Sequence, residues 1–118
     1  MSVEDFKGQI RSLKVYGSDF WEFYNQQTKK VQERIIWTIR VLRDIQIVPE
    51  KYLKYIDDGI YEIRISSGSN IFRIFCFFDE GKLVILLNGF QKKTQKTPTK
   101  EIGPAKKLKN QYYEDKKK

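Results

Sequence analysis

The sequence predicts an α+β fold: an N-terminal strand and a helical hairpin packed on one face of an antiparallel sheet, then a C-terminal helix. Three patterns carry that expectation. Apolar side chains at Val31, Ile35, Ile39, Leu42 and Ile45 keep the 3.6-residue period of a helix with one buried stripe. From Ile60 the period drops to two, with Tyr61, Ile63 and Ile65 alternating with Glu62 and Arg64. The clusters Ser67-Gly68-Ser69 and Asp79-Glu80-Gly81 then cut the apolar sequence into strand-sized pieces. A chain of 118 residues suits one domain, spanning 1–118, and buries about two thirds of its unfolded surface without a staple.

Element by element, residues 9–16 read as a short strand through Ile10, Leu13 and Val15, stopped by Gly17. Ser18 or Asp19 suits the N-cap of the helical region that runs from Phe20 to Gln46, because its side chain can accept from the free first-turn N–H groups. Thr28 is the candidate break that makes this region a hairpin, and Lys30, Glu33, Arg40 and Asp44 fall on its outer face. Pro49 opens an expected short helix, PEKYLKYIDD, with Leu53 and Ile56 inward. Asp57-Asp58-Gly59 ends it, and two adjacent carboxylates without a third ligand read as a turn, not a metal site. A three-stranded meander follows at 60–66, 71–78 and 82–88. Its last strand is apolar nearly throughout, as expected at a sheet centre. The final helix starts near Thr99 and buries Ala105, Leu108 and Tyr112, with Gly103-Pro104 disturbing its first turn. Trp21, Trp37, Phe23 and Phe90 read as core, and Cys76 as a buried thiol without a nucleophilic role.

Composition narrows the chemistry. The chain has no histidine, which removes Ser-His-Asp and Cys-His catalysis, His-based zinc sites and the usual general base at neutral pH. One cysteine excludes an internal disulfide framework and points to a reducing compartment. The longest apolar runs, 74–78 and 83–87, are far shorter than the roughly 20 residues of a bilayer span. The opening MSVEDFKGQIR carries acids and lacks the apolar core of a secretory signal, so the cytoplasm is expected. Net charge is +8, and residues 92–118 carry ten lysines against Glu101, Glu114 and Asp115. Such a concentrated field attracts polyanions, either nucleic acid or an acidic partner. Residues from about 110 to 118 read as a basic tail, its last three lysines serving solubility.

Two arginines interrupt the strands. A hairpin centred between Ser66 and Asn70 sets Arg64 opposite Arg73, a like-charged cross-strand pair that destabilises a sheet. Glu62 shares their face and offsets part of the repulsion, which is a structural explanation, but an anion site is the favoured one. Counting about the next turn places Arg73 beside Leu87 and Asn88, and the chain beyond adds Lys92, Lys93 and Lys96. Gathered on one sheet edge, these cations would hold phosphates, and crowding would lower the proton affinity of one lysine enough for it to act as a base. A wet loop of unrelated lysines is the bland reading of the same spacing.

At these residues the chain resembles HigB-like toxins of the RelE/ParE superfamily of bacterial type II toxin–antitoxin systems. The resemblance lies in YEIRI (61–65), in NIFRIFCFFDEGKLVILLNGFQKKTQKTP (70–98) and in Glu101, Ile102 and Ala105, within a similarity from about Phe20 to Leu108. Its most specific part is G-F-x-K-K-T-x-K-T-P. The resemblance implies a small RelE-like fold and a ribosome-dependent mRNA endoribonuclease that uses 2′-hydroxyl attack and needs neither metal nor cofactor. It implies catalytic roles for Arg64, Arg73, Lys92, Lys93 and Lys96, the same residues contacting RNA together with Lys100. It also implies a cognate antitoxin, a HigA-like helix-turn-helix protein or an acidic segment, with the ribosome and mRNA as further partners. Relatives often add a C-terminal Tyr or His for proton transfer; neither Tyr112 nor Tyr113 aligns to that role. A ParE-like inhibitor of DNA gyrase and a plain nucleic-acid-binding module are the alternatives.

Overall fold

In the computed structural model, which describes residues 6–93 and 99–118, the chain runs β1 (Ser12–Val15), α1 (Asp19–Asn25), α2 (Lys29–Asp44), β2 (Leu53–Asp57), β3 (Ile60–Ser67), β4 (Asn70–Asp79), β5 (Leu83–Lys92) and α3 (Thr99–Lys116). The break between α1 and α2 falls where Thr28 stands: its backbone is extended and its hydroxyl accepts from the Val31 N–H at 3.3 Å. Ser18 precedes α1 without a side-chain cap bond. The described strands form one sheet in the order β1-β5-β4-β3-β2, a four-strand antiparallel meander with β1 added in parallel beside β5. The fold class is therefore the expected one, with one strand more in the meander and with β4, not β5, at the centre.

The extra strand is β2, where a helix was expected. Asp58 and Gly59 both have positive φ, 54° and 76°, and they link the paired residues Asp57 and Ile60. That is the two-residue turn whose twist suits a hairpin, and its Asp-Gly sequence outweighs the helical spacing of Leu53 and Ile56. The register shift between Tyr55 and Asp57 explains the spacing. Leu53 packs with the core under α2, and Ile56 packs on the opposite side of the sheet.

Helices cover both faces, not one. Phe20 and Phe23 of α1 and Ile35, Ile39 and Leu42 of α2 close over Ile63, Ile65, Phe72, Ile74, Cys76, Val84 and Leu86. Alternate residues of the same strands (Ile60, Phe75, Phe77, Ile85 and Leu87) form a second core under Ala105, Leu108 and Tyr112 of α3. Each fully buried Ile or Phe contributes about 1.5–3 kcal/mol, so a sheet apolar on both faces needs both covers. α3 runs through Gly103-Pro104, where the missing proline N–H costs one hydrogen bond near its start. From its middle to its last turn it is clamped by Lys106 to Asp57 at 2.8 Å, Lys109 to the Asp58 carbonyl at 2.6 Å and Lys116 to Asp79 at 2.8 Å. The expected basic tail is thus the last turns of a docked helix.

Candidate nucleic-acid interface

α3 crosses β4 and β5 and is clamped at the sheet end that carries the β2–β3 and β4–β5 turns. The same sheet face, toward the β3–β4 turn, carries a row of charge instead of an apolar core. The register sets Arg64 opposite Arg73, Lys54 opposite Glu62, and Lys92 opposite Ile71. Arg73 pairs with Phe90, not with Leu87 or Asn88. The turn centres on Gly81, with Asp79 opposite Leu83, which alone moves the partner to Gly89, and a register shift between Ile74 and Cys76 adds one further residue in β5. The bulge moves Lys92 to the diagonal neighbour position of Arg73, on the same face. Four strands thereby contribute Lys54, Arg64, Arg73 and Lys92 to one surface, with Glu62 among them.

Glu62 holds the arginines. Its Oε1 lies 3.3 Å from Arg64 Nε and 3.4 Å from Arg73 Nε, as ion pairs in which neither Nε forms an aligned hydrogen bond. Arg73 also donates to the Phe72 carbonyl at 3.0 Å. Burial decides the division of labour: the Arg64 side chain is 26% exposed and that of Arg73 8%. Arg64 meets solvent, and Arg73 supplies charge from beneath. Burial, and then the Arg64 charge, pull Arg73 below the usual guanidinium range, against the attraction of Glu62. Lys92 is half-buried. Burial first, then Arg73, with smaller contributions from Arg64 and Lys54, pull its ammonium below the ordinary lysine value, and Glu62 opposes them. The row can thus bind an anion and offers one amine that releases its proton more readily than a free lysine.

Of the sequence-derived residues, Arg64, Arg73 and Lys92 come together. Lys93 is exposed just beyond β5. It lines a groove of about 590 Å³ with Glu22, Asn88, Gln91 and Glu101, between α1 and the start of α3. Lys100 is exposed in the first turn of α3, and Lys96 lies outside the described residues. Tyr112 donates to Asp79 at 2.6 Å, and Asp79 ends the strand on which Arg73 lies near the start, so this phenol belongs to the α3 clamp. Its pKa is pushed up to about 12, by burial first and then by that hydrogen bond. Cys76 is fully buried, and burial pushes its thiol pKa up, as expected of a core cysteine. Trp37, expected in the core, is 42% exposed.

Sequence reasoning missed Lys54, because its strand was read as a helix; the Asp58-Gly59 turn was the signal that would have placed it. Asn88 was also missed. It is buried, donates to the Glu101 carbonyl at 3.3 Å, and has an Oδ1 without a hydrogen-bond partner. Among the described residues no group of three Cys, Asp or Glu gathers to hold a metal ion, and no helix is long and apolar enough to cross a membrane.

Residues 22–110 match the family model described as phage derived protein Gp49-like (DUF891). No curated protein matches the chain.

Proposed function

Because the chain belongs to the Gp49-like family of phage-derived proteins, a RelE/ParE-like toxin-type family, we propose that it is a HigB-like toxin that cleaves mRNA on the ribosome. The observation that supports this reading is the buried carboxylate gripping two facing arginines beside a lysine of lowered proton affinity. A sheet tolerates that pair when the excess positive charge has an anion to meet. In the proposed reaction, neutral Lys92 takes the proton of a ribose 2′-hydroxyl. The 2′-oxygen attacks the adjacent phosphorus and the bond to the 5′-oxygen breaks, that oxygen taking its proton from solvent. The products are a 2′,3′-cyclic phosphate and a 5′-hydroxyl end. Arg64 contacts the phosphate, and Arg73 stabilises the added charge from below. The ribosome supplies the alignment of a flexible strand that so small a surface lacks. A cognate antitoxin, acidic or of the HigA-like helix-turn-helix kind, silences the protein by covering this row.

The test is primer extension on ribosomes carrying a defined mRNA. The wild type cuts; Arg64→Ala and Lys92→Ala each lower the rate by about 100-fold or more. The wild-type rate rises with pH and levels off below the ordinary lysine pKa, whereas Lys92→Ala flattens the profile, since the base acts only when deprotonated. Undiminished cutting by both variants rules out this site. Uncut mRNA combined with loss of gyrase supercoiling replaces the nuclease with the ParE-like activity.

A further inference from the structure

Trp37 lies off the buried stripe of α2, and its surroundings are built from cations and a second aromatic ring. The Arg34 guanidinium sits 4.3 Å from the Trp37 ring centroid, Tyr52 meets the same indole edge-on at 5.5 Å, and Lys51 Nζ stands 5.0 Å from the Tyr52 ring. Lys30 and Arg40, both exposed, lie on the same outer side of the helix. Beside the indole runs a groove of about 410 Å³ lined by Lys30, Glu33, Arg34, Trp37 and the crest of the β3–β4 turn. In the groove Lys30 and Arg34 outnumber the one carboxylate of Glu33. Beside it Arg40 has Asp44 within its field, and Lys51 follows Glu50 in the chain. The positive excess therefore lies in the groove itself, where the aromatic centre favours a polyanion that carries planar rings.

Its position ties it to the cation row. Arg34 donates to the Ser66 carbonyl at 3.3 Å, and Ser66 is two residues from Arg64 along β3, about 7 Å. The row and the Trp37 surface therefore flank the same sheet end from opposite faces. Only the β3–β4 turn separates them, and a Cβ at Gly68 would find nothing within 4 Å. We infer that Trp37, with Arg34, Lys30 and Lys51, is a stacking platform for single-stranded RNA that passes from the cation row around this turn. The inference rests on RNA being the polymer held by the row. A base stacks on the indole, and the cations take the neighbouring phosphates.

The experiment uses 2′-O-methyl oligoribonucleotides, which carry no attacking hydroxyl, labelled with fluorescein and read by anisotropy and by tryptophan emission. A nine-nucleotide strand is expected to bind and quench emission, and a three-nucleotide strand to bind the row with little quenching. Trp37→Ala weakens the nine-mer about ten-fold and leaves the three-mer unchanged. Trp37→Phe keeps most of the affinity and abolishes the quenching, which separates stacking from loss of fold. Equal affinity of Trp37→Ala for the nine-mer, binding without quenching, or no binding by either strand overturns the platform. If cleavage by the wild type depends on Arg64 and Lys92 yet Trp37 stays unquenched, the nuclease reading stands and the platform falls. Quenching without any mRNA cleavage has the opposite consequence.

Discussion

Two guanidinium groups on facing strand positions repel, by about 4 kcal/mol for unit charges 4 Å apart at an effective dielectric constant of 20. In this sheet Glu62 lies within ion-pair distance of both and is itself only 2% exposed. Its replacement by Gln keeps the shape and removes the charge that holds Arg64 and Arg73 together. Breaking a buried pair in this way costs on the order of 3 kcal/mol. Urea denaturation is expected to show that loss for Glu62→Gln, and added polyphosphate is expected to restore stability to the variant more than to the wild type. A wild-type midpoint for Glu62→Gln contradicts the role assigned to the carboxylate.

At the scale of elements, α3 is held as much by charge as by its apolar side. Ala105 is completely buried with Leu108 and the Tyr112 ring packed beside it, and the helix is further anchored by lysines on the acidic residues of two hairpin turns and by the Tyr112 hydroxyl on Asp79. Hydrogen bonds from Lys116 and then Tyr112 hold the Asp79 carboxyl below its usual range. A carboxylate depressed in the folded state adds stability above its unfolded pKa, about 3.9, and loses it as pH falls through the lower folded value. The wild type should therefore lose stability on acidification below about pH 4, and Asp79→Asn should remove part of that slope. At pH 7 the variant should cost about 1–2 kcal/mol, since Lys116 is 43% exposed and its share is screened. Hydrogen exchange should locate the loss in α3, whereas equal acid sensitivity of both proteins would contradict the clamp.

Across the whole molecule, the distribution of charge matters more than its total of +8. Lys106, Lys109 and Lys116 are tied to acidic residues or a turn carbonyl at the sheet end remote from the row. The row itself draws one cation from each of four strands. RNA binding should accordingly follow the row and not the C-terminal lysines. A single strand whose contacts neutralise three phosphates gives a slope of log affinity against log salt of about −2. Arg64→Gln and Lys92→Gln together remove two of those contacts and should bring a four-nucleotide strand, which has three internucleotide phosphates, to a slope of about −0.7, and Lys117→Gln should leave it unchanged. A slope that tracks Lys117 would return the function to a plain basic tail.

Period and turn chemistry made much of this legible beforehand. The alternation after Ile60 placed Arg64 and Glu62 on one face, and the Gly68 turn set Arg64 against Arg73, because a hairpin's register follows from its turn. The same counting failed for Arg73 and Phe90, since the β4–β5 turn centres on Gly81, later than counted, and a bulge adds a further residue without marking the sequence. Leu53 and Ile56 read as one helical face because a spacing of three also fits a bulged strand packed on both sides. Trp37 read as core because hydrophobicity says nothing of which side of a helix its neighbours will cover. The sequence by itself determined the fold class, the strand that carries the arginines and the excess of positive charge, all consequences of short-range periodicity. Only the tertiary structure decided that Lys54, Arg64, Arg73 and Lys92 share one surface around Glu62, with α3 leaving it open. Those contacts depend on register and on which face each helix covers, and residues far apart in the chain fix both together.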